Sequence, residues 1–80
     1  MHETHLIEPI IKGISQHAEK ENALKVTKVK LRVGQLIGTT EDSFKETFAL
    51  LAKGTKCEGA EVEITFFPGS TVKVISFDVD

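Results

Sequence analysis

The sequence predicts an α+β two-layer sandwich, two helices on one face of a three-stranded sheet, in the order helix-strand-helix-strand-strand. Three observations lead there: a run with the three-to-four spacing of an amphipathic helix, two runs that alternate with the two-residue period of a half-covered strand, and a second helical run bracketed by capping residues. Eighty residues allow one small domain, and a hydrophobic content of 40% is enough to fold it.

In the first run the apolar residues are Leu6, Ile7, Ile10, Ile11, Ile14 and Ala18, one face of a helix. Glu8 to Lys12 and Gln16 to Lys20 stand four apart on the polar face, where side chains are neighbours. Pro9 cannot donate a backbone hydrogen bond, which places it in or near the first turn of a helix starting between Thr4 and Glu8. The helix is expected to end near Glu21 and Asn22, with Asn as a left-handed cap.

From Lys25 to Val33, Thr27, Val29, Leu31 and Val33 share one face and Lys28, Lys30 and Arg32 the other. Gly34 ends this strand. Thr39 or Thr40, followed by Glu41 and Asp42, reads as the cap and acidic first turn of a second helix. That helix is predicted over about Glu41 to Lys53, with a stripe of Phe44, Phe48, Leu51 and Ala52 and Gly54 at its C-terminal end.

Ala60 to Phe66 alternates again, Val62, Ile64 and Phe66 against Glu61, Glu63 and Thr65. Its acidic face matches the basic face of the first strand, which predicts that the two are neighbours. Pro68-Gly69-Ser70 is a turn, and Thr71 to Val79 a third strand. Val72 and Val74 do not share a parity with Ile75, Phe77 and Val79, so a bulge is expected between Val74 and Ile75, or a stretch apolar on both faces.

Composition excludes several functions. Ten Lys and Arg against twelve Asp and Glu give a net charge of −2, and without a basic run there is no footprint for nucleic acid or an anionic membrane. The single cysteine, Cys57, cannot form an internal disulfide or complete a Cys-rich structural zinc site. No apolar run reaches the length of a membrane span, and His2, Glu3 and His5 stand where a signal peptide would be basic, so a cytoplasmic protein is expected. No nucleophile motif, phosphate loop or metalloprotease His pair is present, which argues against an enzyme.

Chemistry concentrates at Met1-His2-Glu3-Thr4-His5. The α-amine of Met1, the amide nitrogen of His2 and the His2 imidazole can close two small chelate rings in one plane, which suits square-planar Ni(II) or Cu(II). The backbone or side chain of Glu3, or the ring of His5, would fill the remaining position. Amide coordination releases a proton, so affinity should fall as pH drops. Two solvated histidines on a frayed terminus are the alternative. His17 reads as a boundary residue half-packed against the sheet, and Cys57 as a free, exposed loop thiol.

Met1-His2-Glu3, the first amphipathic helix, Val26 to Gly34, the segment around Phe44 and Phe48, and Gly54-Thr55 followed by Glu58 to Ile64 together resemble the HypA/HybF family over nearly the whole chain. The resemblance implies a nickel metallochaperone for maturation of [NiFe]-hydrogenase, in some bacteria of urease: an escort and not a catalyst. It implies a nickel site at Met1, His2 and Glu3, with His5 a further candidate. It implies two partners, a nickel-handling GTPase and the hydrogenase large subunit. Residues 1–80 would then be the nickel-binding domain.

One departure is large. The family carries a zinc module with two CxxC motifs between what are here the second and third strands, whereas here Phe66-Phe67-Pro68 runs through Gly69-Ser70 into Thr71. Gly-Ser is a common engineered joint; a relative that lacks the module by nature is the alternative. No structural zinc is expected. A joint this short raises the prospect of a strand-swapped dimer, with a monomer favoured. A protein-protein interaction module without physiological metal binding is the competing function.

Overall fold

The computed structural model describes residues 3–80. Helix α1 spans Thr4–Lys20, strand β1 Val26–Gly34, a short 3-10 turn Gln35–Ile37, helix α2 Glu41–Ala52, strand β2 Glu61–Phe67 and strand β3 Val72–Val79. The predicted order and architecture are those observed. The sheet runs β2-β1-β3, with β2 parallel and β3 antiparallel to the central β1.

One core joins the layers. Ile7, Ile11, Ile14 and Ala18 of α1 and Phe44, Phe48 and Ala52 of α2 pack with Val26, Val29, Leu31 and Val33 of β1. Lys28, Lys30 and Arg32 lie on the open face of the sheet. Glu63 of β2 pairs there with Lys28 at 2.9 Å and Lys30 at 3.9 Å, so the charge match that predicted adjacent strands is a real contact.

Helix α1 closes as the sequence predicts. Asn22 adopts φ 58°, its N–H donates to Glu19 and the Ala23 N–H reaches back to Ala18, satisfying orphan carbonyls of the last turn. Pro9 is a correction: with the helix beginning at Thr4, it lies in the second turn. The cost of the missing donor is offset by burial of Ile7 and Ile11 on either side of it. Helix α2 is capped by Thr40, whose hydroxyl accepts from the Ser43 N–H at 3.1 Å.

Strand phases hold with one exception. The pairing of β1 with β3 shifts between Lys30 with Ser76 and Leu31 with Val74, leaving Ile75 as the extra residue of a bulge at the expected place. A second irregularity, between Val26 and Lys28, was not anticipated: it exposes Thr27, which the alternation had placed inside, and buries Val26.

Because β2 and β3 flank β1, their short connection must cross its end. Two inter-strand spacings amount to about 10 Å, while the Cα path from Phe67 to Val72 can reach roughly 17 Å, so the crossing closes within one chain. It passes directly over Gly34, where an added Cβ would lie 2.4 Å from the Gly69 carbonyl oxygen. The Gly34 N–H donates to Thr71 at 2.8 Å and the Leu36 N–H to Gly69 at 2.9 Å, holding the crossing down.

Candidate metal centre

Of the predicted site, Met1 and His2 lie outside the described residues, and Glu3 and His5 lie within them. Glu3 immediately precedes α1, and its carbonyl accepts the first helical bonds, from the N–H groups of Leu6 and Ile7 at 3.0 Å each. Its carboxylate reaches across to α2. Oε2 accepts from the Thr39 hydroxyl, and Oε1 accepts from the hydroxyls of Ser43 and Thr47 at 2.9 Å each.

The sequence folds that way because Ser43 and Thr47 stand one turn apart along one edge of α2, and Thr39 lies just ahead of the Thr40 cap that starts the helix. The spacing is visible in the sequence, but only the packing of α1 against α2 shows what the edge faces. Thr39, through its hydrogen bond, is the main influence holding the Glu3 carboxyl below its ordinary value of 4.5; burial opposes it, and Ser43 and Thr47 add to the lowering. The carboxylate also lies beside the N-terminal turn of α2, the positive end of the helix dipole.

His5 is exposed on the first turn of α1, at the head of a groove lined by Lys12, Ser15, Leu51 and Thr55. Among the described residues, no group of three or more His, Cys, Asp and Glu side chains comes together, so the part of the candidate site that can be seen is Glu3 with its hydroxyls.

The other two singled-out residues are elsewhere. The His17 ring sits edge-on to Phe77 of β3 with centroids 5.4 Å apart, and its Nε2 is 3.4 Å from Glu21, which is the boundary role expected of it. Cys57 corrects its expectation. It is buried in the core with its Sγ 3.7 Å from the Ser15 hydroxyl, and burial pushes the thiol up, so it is a packing residue. The loop carrying it is drawn inward by the bond from the Val26 N–H to the Lys56 carbonyl at 2.8 Å, a long-range constraint with no local signal.

Architecture and site define a class: a small α+β domain whose chemistry-bearing residues gather where its first helix begins. The family model described as hydrogenase/urease nickel incorporation, metallochaperone, hypA matches residues 1–72, and the chain belongs to that family, one of metallochaperones and not of enzymes. It is 38% identical over 68 residues to the hydrogenase maturation factor HypA of Desulfitobacterium hafniense, covering 85% of this chain and 60% of the relative. It is 38% identical over 65 residues to that of Archaeoglobus fulgidus, covering 81% and 59%. The chain thus spans about 60% of the length of these curated relatives.

The fold is similar to a solution structure of the Ni metallochaperone HypA from Helicobacter pylori, with a TM-score of 0.81 at 16% identity over 99% of this chain and 97% of that one. A second solution structure of a HypA protein gives a TM-score of 0.70 at 16% identity over 99% and 92%. At such identities the likeness is one of fold. Among the described residues, no helix is long and apolar enough to cross a membrane.

Proposed function

We propose that this chain is a nickel-binding domain that takes Ni(II) as cargo at its N-terminus and passes it on during maturation of [NiFe]-hydrogenase or urease. The α-amine of Met1, the amide nitrogen and imidazole of His2, and Glu3 supply the ligands, with His5 a further donor. Each coordinated amide gives up its proton to solvent as the metal–nitrogen bond forms, so uptake strengthens as pH rises. Nickel is the only metal in this reading; with Cys57 buried and alone, the chain has no Cys-rich set for zinc.

The observation that supports it most is the fixed position of Glu3. A chelate built on the first three residues needs its last member held still, and Glu3 is held by its carbonyl at the start of α1 and its carboxylate on α2. The partners that fit are the nickel-handling GTPase and the hydrogenase large subunit, in the cytoplasm. The crossing at 68–70 occupies the place where the family carries its zinc module, and because it closes within one chain, a monomer needs no strand exchange.

Isothermal calorimetry with Ni(II) tests the proposal. The unmodified chain binds one equivalent, and His2→Ala or one residue added ahead of Met1 abolishes binding; unchanged affinity in both variants would defeat it. The competing reading, an interaction module without physiological metal, draws on the exposed apolar residues Val74, Ile75 and Val79 of the edge strand β3. It predicts no stoichiometric Ni(II) uptake by the unmodified chain.

A further inference from the structure

Strand β3 forms one edge of the sheet, and it is the edge with apolar residues on its surface. Of the six large hydrophobic side chains exposed among the described residues, Val74, Ile75 and Val79 lie on β3 and none on β2, the other edge. Leu24 is a fourth, next to Lys25, whose N–H donates to the Asp80 carboxylate at 2.9 Å just past the end of β3. A hollow between His17 and Glu21 of α1 and Val74, Phe77 and Val79 of β3 shows that α1 leaves the underside of β3 half covered. An open edge of this character takes up another strand unless something blocks it, and a lysine or a bulge is a common block. Here Lys73 and the bulge at Ile75 both fit a second copy of the same strand.

Two bonds set the direction of the backbone groups. The Gly34 N–H donates to the Thr71 carbonyl and the Asp80 N–H to the Lys25 carbonyl, so Thr71 and Asp80 both face β1. An odd number of steps separates them, and strict alternation would turn one of them outward; Ile75, the extra residue, absorbs the odd step. Lys73, Ser76 and Asp78 then also face β1, and Val72, Val74, Phe77 and Val79 direct their N–H and C=O groups to the free edge. The same extra residue brings Lys73 and Asp78 onto one face. They stand opposite Arg32 and Lys28, both on the open face of the sheet, whereas in a regular strand two residues five apart point to opposite faces.

We infer that β3 pairs antiparallel with β3 of a second copy about a two-fold axis at Ser76, joining the two three-stranded sheets into one. In this register Lys73 lies opposite Asp78 of the second copy, and symmetry makes the contact twice. Neither residue has an ion-pair partner in its own chain among the described residues. On the underside Val72 meets Val79 and Val74 meets Phe77, so each residue with outward backbone groups finds one of its own kind. Other two-fold registers do less well. Centred on Phe77, Lys73 meets Asp80, whose carboxylate Lys25 already holds, and Val72 has no partner; centred on Asp78, that carboxylate faces itself. The two-fold closes the assembly at that edge, and no strand is exchanged, so the crossing at 68–70 stays within each chain. The inference is independent of the nickel reading.

Sedimentation equilibrium of the full chain across a concentration series tests it, with circular dichroism to check folding. The unmodified chain is expected to show a reversible monomer–dimer equilibrium. Lys73→Glu and Asp78→Lys each set two pairs of like charges against one another and should raise the dissociation constant about tenfold. An equimolar mixture of the two variants, and one chain carrying both substitutions, place opposite charges together again and should recover most of the lost affinity. Mixing would not cure a merely local effect of either residue. Hydrogen exchange on the unmodified chain gives the location and decides the matter even if a variant fails to fold: the amides of Val72, Val74, Phe77 and Val79 should gain protection as concentration rises.

A chain that stays monomeric at every concentration would overturn the inference and leave the edge to a strand of another protein. So would a dimer that ignores both charge reversals, or one whose newly protected amides lie on β2 or the helices.

Discussion

Replacing Gly34 by Ala isolates the crossing between β2 and β3. The backbone at Gly34 has φ −68° and ψ 131°, which any residue adopts, so the whole penalty is steric. The new Cβ would meet backbone atoms at 2.4 Å (Gly69 O), 2.5 Å (Gly69 C) and 2.7 Å (Ser70 N), none of which can swing away as a side-chain tip would. Relief requires the crossing to lift, which breaks the bonds from Gly34 to Thr71 and from Leu36 to Gly69. At roughly 0.5–1.5 kcal/mol each, their loss costs about 1–3 kcal/mol. The smaller entropy of an unfolded chain with Ala returns about 0.4–1 kcal/mol. The net loss of about 1–2 kcal/mol corresponds to a fall in Tm of roughly 5–15 °C for a domain of this size.

Gly13→Ala is the internal control. Gly13 is exposed within α1 and a Cβ there would meet nothing within 4 Å, so the same substitution should stabilise the helix by about 0.5–1 kcal/mol and raise Tm. Thermal unfolding by circular dichroism reads both. If Gly34→Ala leaves Tm unchanged, or raises it as Gly13→Ala does, the close crossing is wrong.

Two further outcomes follow from buried and hydrogen-bonded groups. Folding lowers the Glu3 carboxyl below its ordinary 4.5, so its charged form contributes stability that is fully present above that value and lost as the pH falls through the folded one. Glu3→Gln should therefore make the acid limb of stability shallower; coincident acid limbs for the two proteins would contradict the three-hydroxyl clamp. Cys57, buried with its thiol pushed up, should react with a thiol reagent only when the fold opens, at least about 100-fold more slowly than a small free thiol. Reaction at the free-thiol rate without loss of structure would place the side chain outside the core.

Local chemistry made most of the fold legible. The period of α1, the Asn22 cap, the Thr40 cap and the phase slip at Ile75 each follow from a few neighbouring residues, and each stands where expected. What escaped depends on contacts distant in sequence. Opposite charges said that β1 and β2 are neighbours, yet side chains look alike across parallel and antiparallel pairs, so the order β2-β1-β3 and the crossing it forces were not readable. Thr27 was misplaced because a bulge near a strand's end changes parity without a residue to mark it. Cys57 read as exposed because it sits between Lys56 and Glu58, though the backbone turns it inward.

The candidate site divides the same way. Met1, His2, Glu3 and His5 were picked out by what their atoms can coordinate, whereas the hydroxyls of Thr39, Ser43 and Thr47 acquire a role only when α1 lies against α2. Their four-residue spacing was in plain view and had no meaning without the carboxylate opposite.

The most direct measurement is a crystal structure of the chain with an unmodified Met1 amine, soaked in Ni(II) and located by its anomalous scattering. The prediction is a single nickel bound by the Met1 α-amine and by the amide and ring nitrogens of His2, with the Glu3 carboxylate still on Thr39, Ser43 and Thr47. Nickel found only at side chains such as His17 and Glu21, with the terminal nitrogens unbound, would contradict it.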